Sequence, residues 1–192
     1  MLQLYYTILE AAAASIILIP ILLALNHFRF RSIKTTILYL LFAIYLTAVY
    51  AVVGLPNVTY IRLELNLNLI PFADMLSDLS GTLLNVALFV PMGVFLPVLW
   101  TTFRQFQKTL LFGFYASLAI EVLQIFTFRA TDINDLITNT AGSVIGYFLG
   151  TLLIRFFPAL KCRTKTSDLT ILIFFSCTVM FFFQPLIWNL IY

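Results

Sequence analysis

Most charged residues in this chain fall in short intervals, and six apolar stretches run between them, each about 20 residues long, enough to cross bilayer hydrocarbon. They cover roughly residues 7–25, 35–54, 81–100, 109–126, 133–154 and 169–191. Charged residues make up 10% of the chain and mean hydropathy is +1.03, whereas a soluble domain carries about 25% charged residues. An all-α polytopic membrane helical bundle of about six transmembrane helices is therefore expected. It forms a single transmembrane domain over residues 1–192 and leaves no room for a separate soluble one. The first stretch is too long, and too soon followed by others, to be a cleaved signal peptide.

Basic residues set the orientation. Arg29, Arg31 and Lys34 follow the first stretch, Arg104 and Lys108 the third, and Arg155, Lys161, Arg163 and Lys165 the fifth. Only Arg62 and Arg129 lie in the alternate loops. The positive-inside bias thus places both termini, the 55–80 loop and the 127–134 loop outside the cytoplasm. An odd number of spans would move the N-terminus but not these two loops. Tyr5, Tyr6, Trp100, Trp188 and Tyr192 sit at stretch ends as interfacial aromatics do, and Glu10 is expected to snorkel. The net charge of +3 is explained by this topology, so the bilayer is the expected partner and nucleic acid is not.

Apolar and polar residues alternate strictly from Ile61 to Leu69, through Arg62, Glu64, Asn66 and Asn68. That is the period of an extended strand with one wet face. Its ladder groups need partners, so it is expected to fold on itself as a hairpin or to lie along the membrane surface. Pro71 ends it, and Asp74, Ser77 and Asp78 among Met75, Leu76 and Leu79 suggest a short interfacial helix. The segment reads either as a linker at headgroup level or as a lid, with Asn68 and Phe72 covering a cavity.

The polar residues that sit against lipid gather near residues 117–150. Glu121 and Gln124 lie one turn apart on the fourth stretch. From Asp132 the chain steps to Asp135, Asn139, Gly142, Gly146 and Gly150, which keeps one face of a helix. A charged group costs several kcal/mol in hydrocarbon, so Glu121 should face protein or a wet cavity and have a partner. Asp132 and Asp135 also suit the N-cap and first turn of the fifth helix. Arg129, outside against the charge rule, either clamps one of those acids or meets an anionic ligand, since guanidinium binds carboxylate and phosphate as a fork. Asn85, in the third stretch before Pro91 and Gly93, either fixes helix register or lines a site. The tandem glycines form a packing face that lets the fifth helix press on the third or fourth.

Other chemistries lack residues. The only histidine, His27, falls on the cytoplasmic side, so no Ser–His–Asp or Cys–His site is available at the outer face. No Walker or dinucleotide-binding glycine motif occurs, and a zinc site lacks ligands. Cys162 and Cys177 suggest no disulfide framework. No cofactor and no resident metal is implied. What remains is carboxylate and amide chemistry with one arginine, suited to binding, proton transfer or holding a divalent ion on a diphosphate.

The ordered set Asn68-x-x-Pro71-Phe72, Asn85-x-x-x-Phe89-x-Pro91-x-Gly93, Glu121-x-x-Gln124 and Arg129-x-x-Asp132-x-x-Asp135-x-x-x-Asn139-x-x-Gly142-x-x-x-Gly146 resembles the VanZ-like membrane proteins. The resemblance covers about residues 35–155 and leaves the terminal segments, 1–34 and 156–192, outside the core. It implies a multi-pass protein of the bacterial cytoplasmic membrane, whose family prototype is linked to low-level teicoplanin resistance. It supplies no reaction. Three readings follow. In the first, an outer-face site binds or modifies an envelope component such as a lipid-linked wall precursor. There Glu121, with Asp132 and Asp135, carries the chemistry, while Arg129, Gln124, Asn85, Asn139, Asn68 and Phe72 bind. The second is a small proton-coupled transporter or flippase, and the third a structural or regulatory partner.

Overall fold

The apolar stretches are helices. The chain forms α1 (Leu2–Leu25), α2 (Ile33–Val53), α3 (Leu79–Leu99), α4 (Phe106–Gln124), α5 (Ile133–Phe156) and α6 (Thr166–Ile191), with two-residue strands β1 (Leu67–Asn68) and β2 (Thr131–Asp132). These coordinates are a computed structural model describing residues 2–191 except 64, 73, 74, 76, 77, 128, 161 and 163; side chains of 2–8, 11 and 187–191 are outside it. The expected interfacial Tyr5, Tyr6, Trp188 and Tyr192, and Glu64, Asp74, Leu76, Ser77, Phe128, Lys161 and Arg163, therefore lie outside the described residues or side chains. Among the described residues, six helices are long and apolar enough to cross a membrane. Prolines 20, 91, 97 and 185 lie within them, which spanning helices tolerate where neighbours satisfy the freed carbonyl.

Helix ends follow capping chemistry. The Ser32 hydroxyl accepts from Thr35 N–H at 3.4 Å at the start of α2, and Gly54, at φ 65°, ends it in the left-handed conformation. Asp78 caps α3, accepting from Gly81 N–H at 3.0 Å. That amide and the Ser80 hydroxyl hold its carboxyl below the usual carboxylate range. Asp78 thus opens α3, whose first residue is Leu79, while the suggested interfacial helix before it falls largely outside the described residues.

The chain divides into two units, residues 1–61 with 167–192, and residues 62–166. In the first, Glu10 does not snorkel. It is 4% exposed, and its Oε2 accepts from Gln184 Nε2 of α6 at 3.0 Å. Asn57 Nδ2 donates to Gln184 Oε1 at 3.4 Å, extending the chain of amides. A partner on a neighbouring helix spares the carboxyl a costly exposure to hydrocarbon. At the other end of α6, Asp168 receives Arg29 Nε at 2.6 Å and the Tyr39 hydroxyl at 3.0 Å.

The second unit is built on a close parallel pair. A Cβ on Gly142, Gly146 or Gly150 of α5 would run into the carbonyl oxygen of Val86, Val90 or Val94 of α3. The glycine stripe therefore packs on the third helix. It does so backbone to backbone, as small-residue faces allow. α4 runs antiparallel to α5, with Gly113 against Ser143. Where α3 ends, the carbonyls of Pro97, Val98 and Leu99 accept from Arg104 Nε at 3.1 Å, Cys162 N–H at 3.0 Å and Thr164 N–H at 3.4 Å. Trp100, expected as an interfacial aromatic, is instead fully buried, with Nε1 donating to Lys165 O at 3.1 Å. Both thiols, Cys162 and Cys177, are free.

The alternating 61–69 segment does not fold on itself as a hairpin but pairs with another loop. β1 pairs in parallel with β2, Leu67 opposite Thr131 and Asn68 opposite Asp132. Arg62 N–H donates to Phe126 O at 3.0 Å and Thr131 N–H to Asn66 O at 2.9 Å, extending the seam. The ladder groups find their partners in the extended residues just before α5, so two loops distant in sequence become one layer. Leu63, Leu65, Leu67 and Leu69 remain exposed along it.

Candidate functional site

That seam delivers the polar residues to one place. Asp132 is extended because it pairs with Asn68, and it is also the N-cap of α5. Its Oδ1 accepts from Asn134 N–H at 2.8 Å and its Oδ2 from Asn68 Nδ2 at 3.0 Å. Its own N–H donates to Glu121 Oε2 at 2.8 Å. Glu121 is 4% exposed and so meets, from inside a spanning helix, the first residues of the next. The Thr131 hydroxyl donates to the Glu121 carbonyl at 3.0 Å, closing the C-terminal turn of α4 onto the same strand.

One turn into α5, Asp135 Oδ1 accepts from Asn85 Nδ2 of α3 at 2.6 Å. Asn85 therefore holds an acid of the candidate site through a short hydrogen bond. Deeper still, Asn139 Nδ2 donates to Ser117 Oγ of α4 at 3.0 Å. Ser117, Glu121 and Gln124 share one face of α4, and all three are buried. Arg129 is half-buried, its N–H held by Thr127 Oγ1 at 3.3 Å, and its charge acts on Asp135. Among the described residues no three His, Cys, Asp or Glu side chains are grouped to hold a metal ion.

Phe72 contributes its backbone. Its N–H donates to Asn134 Oδ1 at 2.6 Å, and its ring is exposed. At φ 63° it occupies a left-handed conformation that costs a bulky residue free energy unless something holds it. Asn134, the second residue of α5, is that clasp. Asn134→Ala should release the segment around Phe72, raising its protease cleavage at least severalfold while changing the melting temperature little. Unchanged cleavage would show that Phe72 is held by something else.

Hydrogen bonds thus join Asn68, Asp132 and Glu121 in one series and Asn85 to Asp135 in another, at one end of α3, α4 and α5. Asn139 and Gln124 lie on the same helix faces, while Arg129 and Phe72 flank the seam. Three contributors carry no motif signal, namely Ser117, Thr131 and Asn134. Ser117 alone was detectable, being one turn from Glu121 on the same face.

The profile of the family described as VanZ/LLP1 matches residues 36–155. Among curated proteins, Protein VanZ of Enterococcus faecium is 38% identical over 84 residues, which are 42% of this chain and 50% of that protein. The chain thus spans about half the length of the relative it matches. No solved structure matches.

Proposed function

The chain belongs to the VanZ/LLP1 family, and from that premise we propose that this multi-pass membrane protein binds or modifies a component of the bacterial envelope at the end of α3, α4 and α5. The observation carrying this reading is the bonded series Asn68–Asp132–Glu121, with Asn85–Asp135 beside it. Acids placed in a lipid-facing protein cost several kcal/mol, and a function repays that cost. The positive-inside pattern puts this end on the extracytoplasmic side, where lipid-linked wall precursors present their heads. In this reading Arg129 takes the anionic head as a bidentate fork. Glu121 is the proton acceptor, with Asp132 and Asp135 setting its surroundings. Gln124 and Asn139 line the inner wall, and Asn68 and Phe72 border the entrance.

In cells whose envelope phenotype depends on this protein, Glu121→Gln and Arg129→Ala should each abolish that phenotype. Membrane level and melting temperature should stay at wild-type values. Normal function in both variants removes the site. A loss that follows protein level instead assigns these residues to the scaffold.

A further inference from the structure

Building on that site, we propose that the head bound there carries a primary ammonium group, seated between the carboxylates of Glu121 on α4 and Asp135 on α5. The helix register brings these two together. Gly113 lies against Ser143 and Ser117 is bonded to Asn139. The next step of the same antiparallel register sets Glu121 opposite Asp135, and the charge of Asp135 acts on Glu121.

The cluster is rich in acceptors and poor in donors. Glu121 Oε2 takes one N–H, from Asp132, and Asp135 Oδ1 takes one, from Asn85. Among the described residues no donor reaches Glu121 Oε1 or Asp135 Oδ2. An ionised carboxylate accepts about four hydrogen bonds. One turn deeper, the carbonyl oxygen of Asn139, a residue 3% exposed, has no hydrogen-bond partner among the described residues. A buried acceptor without a donor costs free energy, and this one lies one turn below Asp135 on the same helix face.

Charge leads to the same ligand. Asp132 and Asp78 add negative charge around Asp135, against the one opposing charge of Arg129 that acts on it among the described residues. A head bearing only negative charge would be attracted by Arg129 and repelled by the surplus of carboxylates. A head with a phosphate for Arg129 and an –NH3+ for Glu121 and Asp135 matches both signs. The ammonium supplies three donors to oxygens that lack them. Among the described residues no three His, Cys, Asp or Glu side chains group to encage a metal ion.

Native mass spectrometry of the purified full chain tests this, with phosphatidylethanolamine, phosphatidylglycerol and phosphatidylcholine supplied at equal concentration. All three carry the phosphate, but only the first has N–H donors. The first should be retained about tenfold or more over the others, the factor expected from one charge-assisted hydrogen bond. The isosteric double variant Glu121→Gln/Asp135→Asn should retain the three equally, while Arg129→Ala should weaken all of them together. A rise in melting temperature with soluble O-phosphoethanolamine would show that the head alone is recognised. Its absence, with the lipid still selected, would assign recognition to the lipid-borne head. Equal retention of the three lipids by the wild type, still lost in Arg129→Ala, overturns the ammonium seat and leaves the envelope-ligand site standing. Equal retention is also what two acids merely sharing a proton would give. Retention of none of them overturns both.

Discussion

Gly146→Leu is expected to leave no folded protein to purify, and Gly146→Ala to lower the melting temperature by roughly 4–8 °C. A β-carbon at this position would penetrate the Val90 carbonyl oxygen and come within 2.8 Å of Gly93 Cα. Both are main-chain atoms and cannot swing aside. Alanine gains about 1 kcal/mol of helix propensity over glycine, but overpacking costs about 1–3 kcal/mol and more where backbone must move. A net loss near 2 kcal/mol corresponds to that shift at about 2–4 °C per kcal/mol. Gly150→Ala is the graded control, since its nearest neighbour would be Val94 O at 2.7 Å, and it should lose less. Detergent-solubilised thermal melts decide. A Gly146→Ala protein as stable as wild type would mean that α3 and α5 part easily, and the described packing would be wrong.

Asp168→Ala should be the most damaging single change in the other unit, by about 2–3 kcal/mol. Arg29 is 38% exposed, so the ion pair itself contributes no more than about 1 kcal/mol. The larger share comes from Tyr39, fully buried, whose hydroxyl donates to Asp168 Oδ2 at 3.0 Å and would lose that carboxylate. Asp168→Asn retains an acceptor and should cost about half as much, while Tyr39→Phe should cost about 1 kcal/mol. If Asp168→Asn equals Asp168→Ala, charge rather than hydrogen bonding is what matters there.

The helices were legible because hydrocarbon leaves apolar runs of this length little other choice. So were the glycine face and Asp132 as a cap, since both depend on local spacing. The seam was not. The alternation from Ile61 to Leu69 announces an extended strand but not its partner, and Asn68 meets Asp132 across a separation of 64 positions. Glu10 escapes a local reading for the same reason, because the amide that keeps it inside, Gln184, lies near the opposite end of the chain. Trp100 followed the interfacial pattern by position, yet the backbone of Lys165 claims its indole. Asn134 gave no signal, because its work is to hold another segment's backbone.

The glycines of α5 at 142, 146 and 150 meet the carbonyls of α3 at 86, 90 and 94, one turn per step. Such a rack does not slide by fractions of a turn, because every intermediate position would drive main-chain oxygen into main-chain carbon. Any rearrangement of the bundle would therefore leave those two helices travelling as a single rod.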